Sequence, residues 1–161
     1  MKIRDVMSTD VVVIPVEATY EEATKILFDN QVSGAPVVDK EGRLVGVISD
    51  KDLYRVLFPW YKSFSEDPEE YLNFEAREMA IDEVRQEPVA GFMSKQVITT
   101  QPDEFVMRAG AIMLAERVHR LPVVEQGKLV GVVTRADIYH ELIAQHLGLQ
   151  SQTQRKTLKS V

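Results

Sequence analysis

Short β-branched runs closed by proline alternate along the chain with stretches whose apolar residues return at helical spacing, and the whole succession occurs twice. Val11-Val12-Val13-Ile14 before Pro15 predicts a strand, and Val97-Ile98-Thr99-Thr100 before Pro102 is its echo. Tyr20, Ala23, Ile26 and Leu27 share one helical face, as do Val106, Ala109, Ile112 and Met113. Thr19 with Glu22 has the spacing of a capping box. Phe105 stands where that threonine would recur, so Asp103 is the predicted N-cap of the second copy. Pro36-Val37-Val38-Asp39 and Leu44-Val45-Gly46-Val47-Ile48 flank a turn at Lys40-Glu41-Gly42-Arg43, which shortens to Gln126-Gly127-Lys128 in the second copy. Strands joined so briefly pair antiparallel. Helices follow near residues 50–57 and 135–147, the latter stopped by Gly148. Each copy therefore reads strand, helix, strand, strand, helix.

The register between the copies is constant. Val6-Met7-Ser8 returns as Phe92-Met93-Ser94, and Ala35-Pro36-Val37-Val38 as Leu121-Pro122-Val123-Val124, both at an offset of 86. Past the shortened turn, Gly46-Val47-Ile48-Ser49-Asp50-Lys51-Asp52 returns as Gly131-Val132-Val133-Thr134-Arg135-Ala136-Asp137 at an offset of 85. The chain divides into a first repeat, 1–57, an acidic helical insert, 58–91, a second repeat, 92–149, and a polar tail, 150–161. Within the insert, Asp67 before Pro68, Glu69 and Glu70 predicts a helix running over 68–85. Its Tyr71, Leu72, Phe74 and Ile81, with the aromatic run Phe58-Pro59-Trp60-Tyr61 before it, serve either to dock it on its own domain or as a partner or lid surface.

Apolar residues make up 45% and charged residues 27% of the sequence, the balance of a soluble globular protein. Cysteine is absent, which excludes disulfides, zinc–thiolate sites and thiol catalysis. The N-terminus opens directly into charged sequence and no apolar run suits a signal peptide or a membrane span, so a cytoplasmic protein without membrane association is expected. Three basic and nine acidic residues in 58–91 account for the whole formal charge of −6, and no basic face suits direct nucleic-acid binding.

The chemistry that recurs is Gly-apolar-apolar-Ser/Thr-x-x-Asp, placed each time where a strand hands over to a helix. A glycine lets a ligand approach the backbone, and a helix start offers N–H groups to an anion. The hydroxyl of Ser49 or Thr134 can donate to a sugar or phosphate oxygen. An ionised Asp52 or Asp137 can accept both hydroxyls of a ribose. The same spacing is also that of a capping box, in which both side chains only satisfy the helix end. Its duplication, each time behind an apolar-Pro-Val-Val strand, favours a ligand.

These residues, together with Val32-Ser33-Gly34-Ala35-Pro36-Val37-Val38, Gly42-x-Leu44-Val45-Gly46 and their second-copy partners, resemble a tandem pair of cystathionine β-synthase (CBS) domains, a Bateman module. His119-Arg120-Leu121-Pro122-Val123-Val124 is similar to a segment of the nucleotide-sensing subunit of AMP-activated kinase. The resemblance implies an α/β fold (α+β in some schemes) of two β-α-β-β-α repeats packed through their sheets about a pseudo-twofold axis, with two clefts between them. It also implies an adenosine-containing ligand, AMP, ADP or ATP, or less often S-adenosylmethionine, bound as a signal and not as a catalytic cofactor. Carried over, Val12 and Ala35 in one copy and Ile98 and Leu121 in the other would sandwich the adenine, while Ser49 with Asp52 and Thr134 with Asp137 hold sugar and phosphate.

The copies differ where a phosphate would lie. The second has Arg135 beside Thr134 and His119-Arg120 before Leu121; the first has Asp50 and Ser33-Gly34. Arginines offer charge-assisted bonds to phosphate, so unequal sites are expected. No activated nucleophile, metal cluster, Walker loop or dinucleotide fingerprint is present, and His140 and His146 are spaced off one helical face, so catalysis is not expected. The expected role is a ligand-sensing module that signals to an unidentified partner or to its own homodimer. The competing reading is a structural dimerisation or docking module with empty clefts.

Overall fold

The computed structural model describes residues 1–57 and 80–149, in which helices and strands are mixed. In chain order the elements are β1 (Ile14–Pro15), α1 (Tyr20–Asp29), β2 (Gly34–Val38), β3 (Leu44–Ser49), α2 (Asp50–Tyr54), α3 (Ala80–Val84), α4 (Val106–Ala115), β4 (Arg120–Glu125), β5 (Lys128–Thr134) and α5 (Arg135–Leu147). Short 3-10 turns lie at Ile3–Asp5, Arg55–Leu57 and Val89–Gly91. Both expected hairpins form. Strands β2 and β3 pair antiparallel with Ala35 opposite Ile48, and β4 and β5 with Leu121 opposite Val133. The second hairpin closes through Gln126 and Gly127, whose φ angles of 51° and 79° are those of a two-residue type I′ turn.

The contacts divide the chain into two compact units that are offset from the sequence repeats. One is continuous, Val12–Val97; the other is split, joining Met1–Val11 to the chain from Ile98 onward. Each sequence copy thus gives up its leading segment. In the split unit the Ile3 N–H donates to the Glu104 carbonyl (2.9 Å), and Ser8 and Val132 exchange two backbone hydrogen bonds of 2.9 Å. In the continuous unit the Val89 N–H donates to the Ala18 carbonyl (2.8 Å), and Ser94 and Val47 exchange bonds of 2.9 and 3.0 Å. Ile3 and Val89, equivalent in sequence, are both fully buried. The leading segments therefore complete sheet edges that would otherwise present open N–H and C=O groups.

Each unit has its own core. Ile14, Tyr20, Ala23, Leu27, Val37 and Ile48 centre the continuous one, and Ile3, Val106, Met113, Leu121, Val123 and Val133 the split one. Tyr20 buries its ring edge-on to Phe92 (5.4 Å between centroids), its hydroxyl donates to the Leu53 carbonyl (3.1 Å), and burial pushes the phenol above its ordinary pKa. Thr100, which replaces the core residue Ile14 in the second copy, is buried with its hydroxyl unpartnered among the described residues.

Both first helices of the copies end the same way. Val32 N–H reaches the Leu27 carbonyl and Gln31 N–H the Phe28 carbonyl; Val118 and Arg117 repeat this on Met113 and Leu114. These are Schellman ends, which put one residue in the left-handed region, usually glycine. Here the residues are Gln31 (φ 53°) and Arg117 (φ 55°). Gln31→Gly relieves the Cβ crowding and is expected to stabilise the continuous unit by about 0.5–1 kcal/mol, read as a raised urea midpoint.

Several sequence expectations change. The strand expected over 11–14 contracts to Ile14–Pro15, and its echo is reduced to a single parallel bridge, Thr100 with Val123. Asp103 is not a cap: Phe105 takes the N-cap position with no side-chain bond, while Asp103 pairs with Arg4 at 2.6 Å. The helix expected near 50–57 ends as an α-helix at Tyr54 and tightens into the 3-10 turn Arg55–Leu57. Of the insert helix expected over 68–85, only Ala80–Val84 is described; Tyr71, Leu72, Phe74, the aromatic run before them and the tail from residue 150 lie outside the described residues. The insert's end is tied to α1 by Arg85, whose guanidinium donates to both carboxylate oxygens of Glu21 (2.9 and 2.8 Å) and holds that exposed carboxyl below its usual pKa.

Candidate functional site

The end of the last strand decides where the motif residues sit. Ser49 leaves β3 opposite Gly34, and Thr134 leaves β5 opposite Arg120. Each then turns into a helix as its N-cap. Asp52 Oδ2 accepts from the Ser49 N–H (2.9 Å) and hydroxyl (2.7 Å), and the Asp52 N–H returns to Ser49 Oγ (3.3 Å). Asp137 repeats the set on Thr134 at 2.9, 2.7 and 3.1 Å. The capping box is therefore real in both units.

This geometry gives the hydroxyls a part in the cap. Each has one proton, and here it is directed to the aspartate oxygen at 2.7 Å. The cap consumes one carboxylate oxygen and holds the other, Oδ1, in a fixed orientation. Asp137 Oδ1 has no hydrogen bond among the described residues, and Asp52 Oδ1 has Arg55 Nη1 at 3.8 Å. What each half-buried cradle offers is an acceptor, which matches hydroxyl donors such as a ribose diol.

The motif glycines have a different reason than a ligand's approach. A Cβ at Gly131 would stand 2.9 Å from the Ser8 carbonyl oxygen and 3.0 Å from Met7 Sδ; at Gly46 it would meet Met93 Sδ at 2.6 Å and the Ser94 oxygen at 3.0 Å. Glycine here admits the exchanged Met-Ser segment. The coincidence of a duplicated Met-Ser with a duplicated glycine was the sequence signal for that contact.

The other candidates sort by burial. Val12 is half-buried against its core, and Ile98 is 36% exposed. The registers Ile14 with Val37 and Thr100 with Val123 bring Val12 level with Ala35 and Ile98 level with Leu121, just beyond the last paired residues, so each early segment parts from its central strand there. Ala35 (4% exposed) and Leu121 (0%) are buried in the two cores. Arg120, His119 and Arg135 are exposed, the His119 carbonyl accepts from the Arg135 N–H (3.1 Å), and the Arg135 guanidinium lies against His119 Nδ1. Val12, Ala35, Ser49 and Asp52 all fall in the continuous unit; Ile98, His119, Arg120, Leu121, Thr134, Arg135 and Asp137 all fall in the split one. Each unit holds its set complete. No group of three His, Cys, Asp or Glu suited to a metal occurs among the described residues, and none of their helices is long and apolar enough to cross a membrane.

The CBS domain model matches residues 3–59 and again 89–144. The chain belongs to the CBS domain family. CBS pairs are generally regulatory rather than catalytic. An uncharacterized protein of Methanocaldococcus jannaschii, MJ1426, is 29% identical over 155 residues, covering 89% of this chain and 92% of that one. The CBS domain of a CBS domain-containing membrane protein from Sphaerobacter thermophilus is 31% identical with a TM-score of 0.68, covering 86% of each chain. CBSX2 from Arabidopsis thaliana superposes with a TM-score of 0.71 at 25% identity, covering 90% of this chain and 96% of that one. CBSX2 has also been solved in complex with AMP.

Proposed function

We propose that this CBS pair is a non-catalytic regulatory module that binds an adenosine-containing ligand, of the class AMP, ADP or ATP, and signals to a partner or to its own dimer. The observation that carries the reading is the repeated cradle: two caps of nearly identical dimensions, each leaving one carboxylate oxygen of Asp52 or Asp137 outside the cap. A helix end needs one acceptor for its cap. The second, held rigidly at the exit of a strand, is matched to the hydroxyls of a sugar. The complex of CBSX2 with AMP, a protein of the same fold, supports the ligand class. Signalling requires the ligand to favour one conformation over another, since equal affinity for both moves nothing.

Because each aspartate closes its capping box from the third helical position, alanine would remove that closure and the ligand contact together. Asparagine separates them. Its amide oxygen keeps the acceptor of the capping box, at a cost of about 0.3–1 kcal/mol for the lost first-turn charge, and its NH₂ turns the remaining acceptor into a donor. Asp137→Asn and Asp52→Asn are expected to weaken adenosine-ligand binding about 10- to 100-fold in calorimetry, with unfolding midpoints lowered no further than that cost. Wild-type protein silent to AMP, ADP and ATP alike would instead support a docking module with empty sites, the reading favoured by the placement of Ala35 and Leu121 in the cores.

A further inference from the structure

Helix α4 has apolar side chains in two places. Val106, Ala109 and Met113 are buried in the core of the split unit. Met107, Ala111 and Leu114 form a second stripe on the outward side, and Met107 and Leu114 are 67% and 68% exposed. Gly110 lies on that stripe within one turn of both. A Cβ built there would meet no atom of the described residues within 4 Å. Nothing inside the unit therefore calls for glycine, which is a poor helix former in a helix interior. Bare backbone on an outward stripe does one thing well: it lets a second helix approach closely.

The counterpart helix in the continuous unit is not built this way. Glu21, Thr24 and Lys25 of α1 stand where α4 has Met107, Gly110 and Ala111, and Glu21 is held by both bonds from Arg85. We infer that α4 is the surface through which two copies of this chain associate, split unit against split unit, across a twofold axis. The stripe itself points to a second copy as its occupant. Met107 and Leu114 flank a midpoint between Gly110 and Ala111, so an antiparallel pair sets each Met107 against the partner's Leu114 and the small residues at the axis. Twofold association requires such a self-matching surface, and large apolar side chains grouped in solvent mark an interaction site. Antiparallel helices also bring opposite ends of their dipoles together. Arg117, without an ion pair among the described residues, then comes to the end where the other copy carries Glu104. This supplies the surface for the dimer named in the proposed function, and it stands without any ligand.

Sedimentation equilibrium of the full chain without nucleotide tests it. Wild type is expected to dimerise with concentration, and Leu114→Glu, which would bury a charge twice per dimer, to raise the dissociation constant about 100-fold or more. Gly110→Gln has room within its own chain and favours the helix, so the unfolding midpoint of the monomer is expected to hold or rise while the dimer weakens about tenfold. Because the sequence has no cysteine, Ala111→Cys introduces a single thiol near the axis. Mild oxidation is expected to convert it to a covalent dimer, and to leave Lys25→Cys, the same position on α1, largely monomeric. A monomeric wild type, dimers indifferent to Leu114→Glu and Gly110→Gln, or cross-linking at Ala111→Cys no greater than at Lys25→Cys overturns the inference. AMP bound by a chain that stays monomeric overturns this surface and leaves the ligand reading standing; a dimer of the expected kind that binds no nucleotide does the reverse.

Discussion

Gly131→Val is expected to destabilise the split unit by about 2–3 kcal/mol in the absence of any ligand. The cause is steric and local. A Cβ at this position stands 2.9 Å from the Ser8 carbonyl oxygen, a backbone atom that moves only if the whole leading segment moves. Ser8 and Val132 then lose two hydrogen bonds, and an edge that they close is opened to solvent. Amide hydrogen exchange should show the loss at Ser8 and Val132 before it shows elsewhere. The matching Gly46→Val should cost less, because its nearest neighbour is the flexible end of Met93, although the Ser94 oxygen at 3.0 Å still resists. A variant as stable as wild type, but defective in nucleotide binding, would return the glycine to the ligand.

Leu121→Ala should cost about 2–5 kcal/mol, the range for removing a large aliphatic side chain from a packed interior. Leu121 has no exposed surface and packs in the cluster of Ile3, Met113, Val123 and Val133. In urea unfolding the midpoint falls; in calorimetry at a temperature where the variant is folded, AMP affinity stays within about twofold. The reverse pattern, normal stability with weakened binding, would mean that the side chain reaches the ligand and leaves the core to do so.

These expectations separate two kinds of legibility. Thr19 with Glu22 was readable as a cap from spacing alone, and Ser49 with Asp52 and Thr134 with Asp137 carried the same spacing although their duplication argued for a ligand; a cap joins residues three apart and nothing distant can change its geometry. The hairpins were readable for a similar reason, as was the stop at Gly148, whose φ of 62° suits glycine. Asp103 misled because a good capping residue was present and Arg4, distant in sequence, took it instead. Val97-Ile98-Thr99 kept its β-branched pattern and formed no ladder, since pairing needs a partner strand alongside, and only Thr100 has one.

From residue order alone came the duplication, the mixed strand-and-helix content, the family and the chemical types gathered at each strand exit. All of these depend on local periodicity and on short spacings. Tertiary structure decided that each copy lends its leading segment to the other's sheet and that Ala35 and Leu121 belong to the cores. The physical reason is common to both. Open strand edges and apolar side chains are alike wherever they occur, so only the path of the folded chain determines which neighbour covers them.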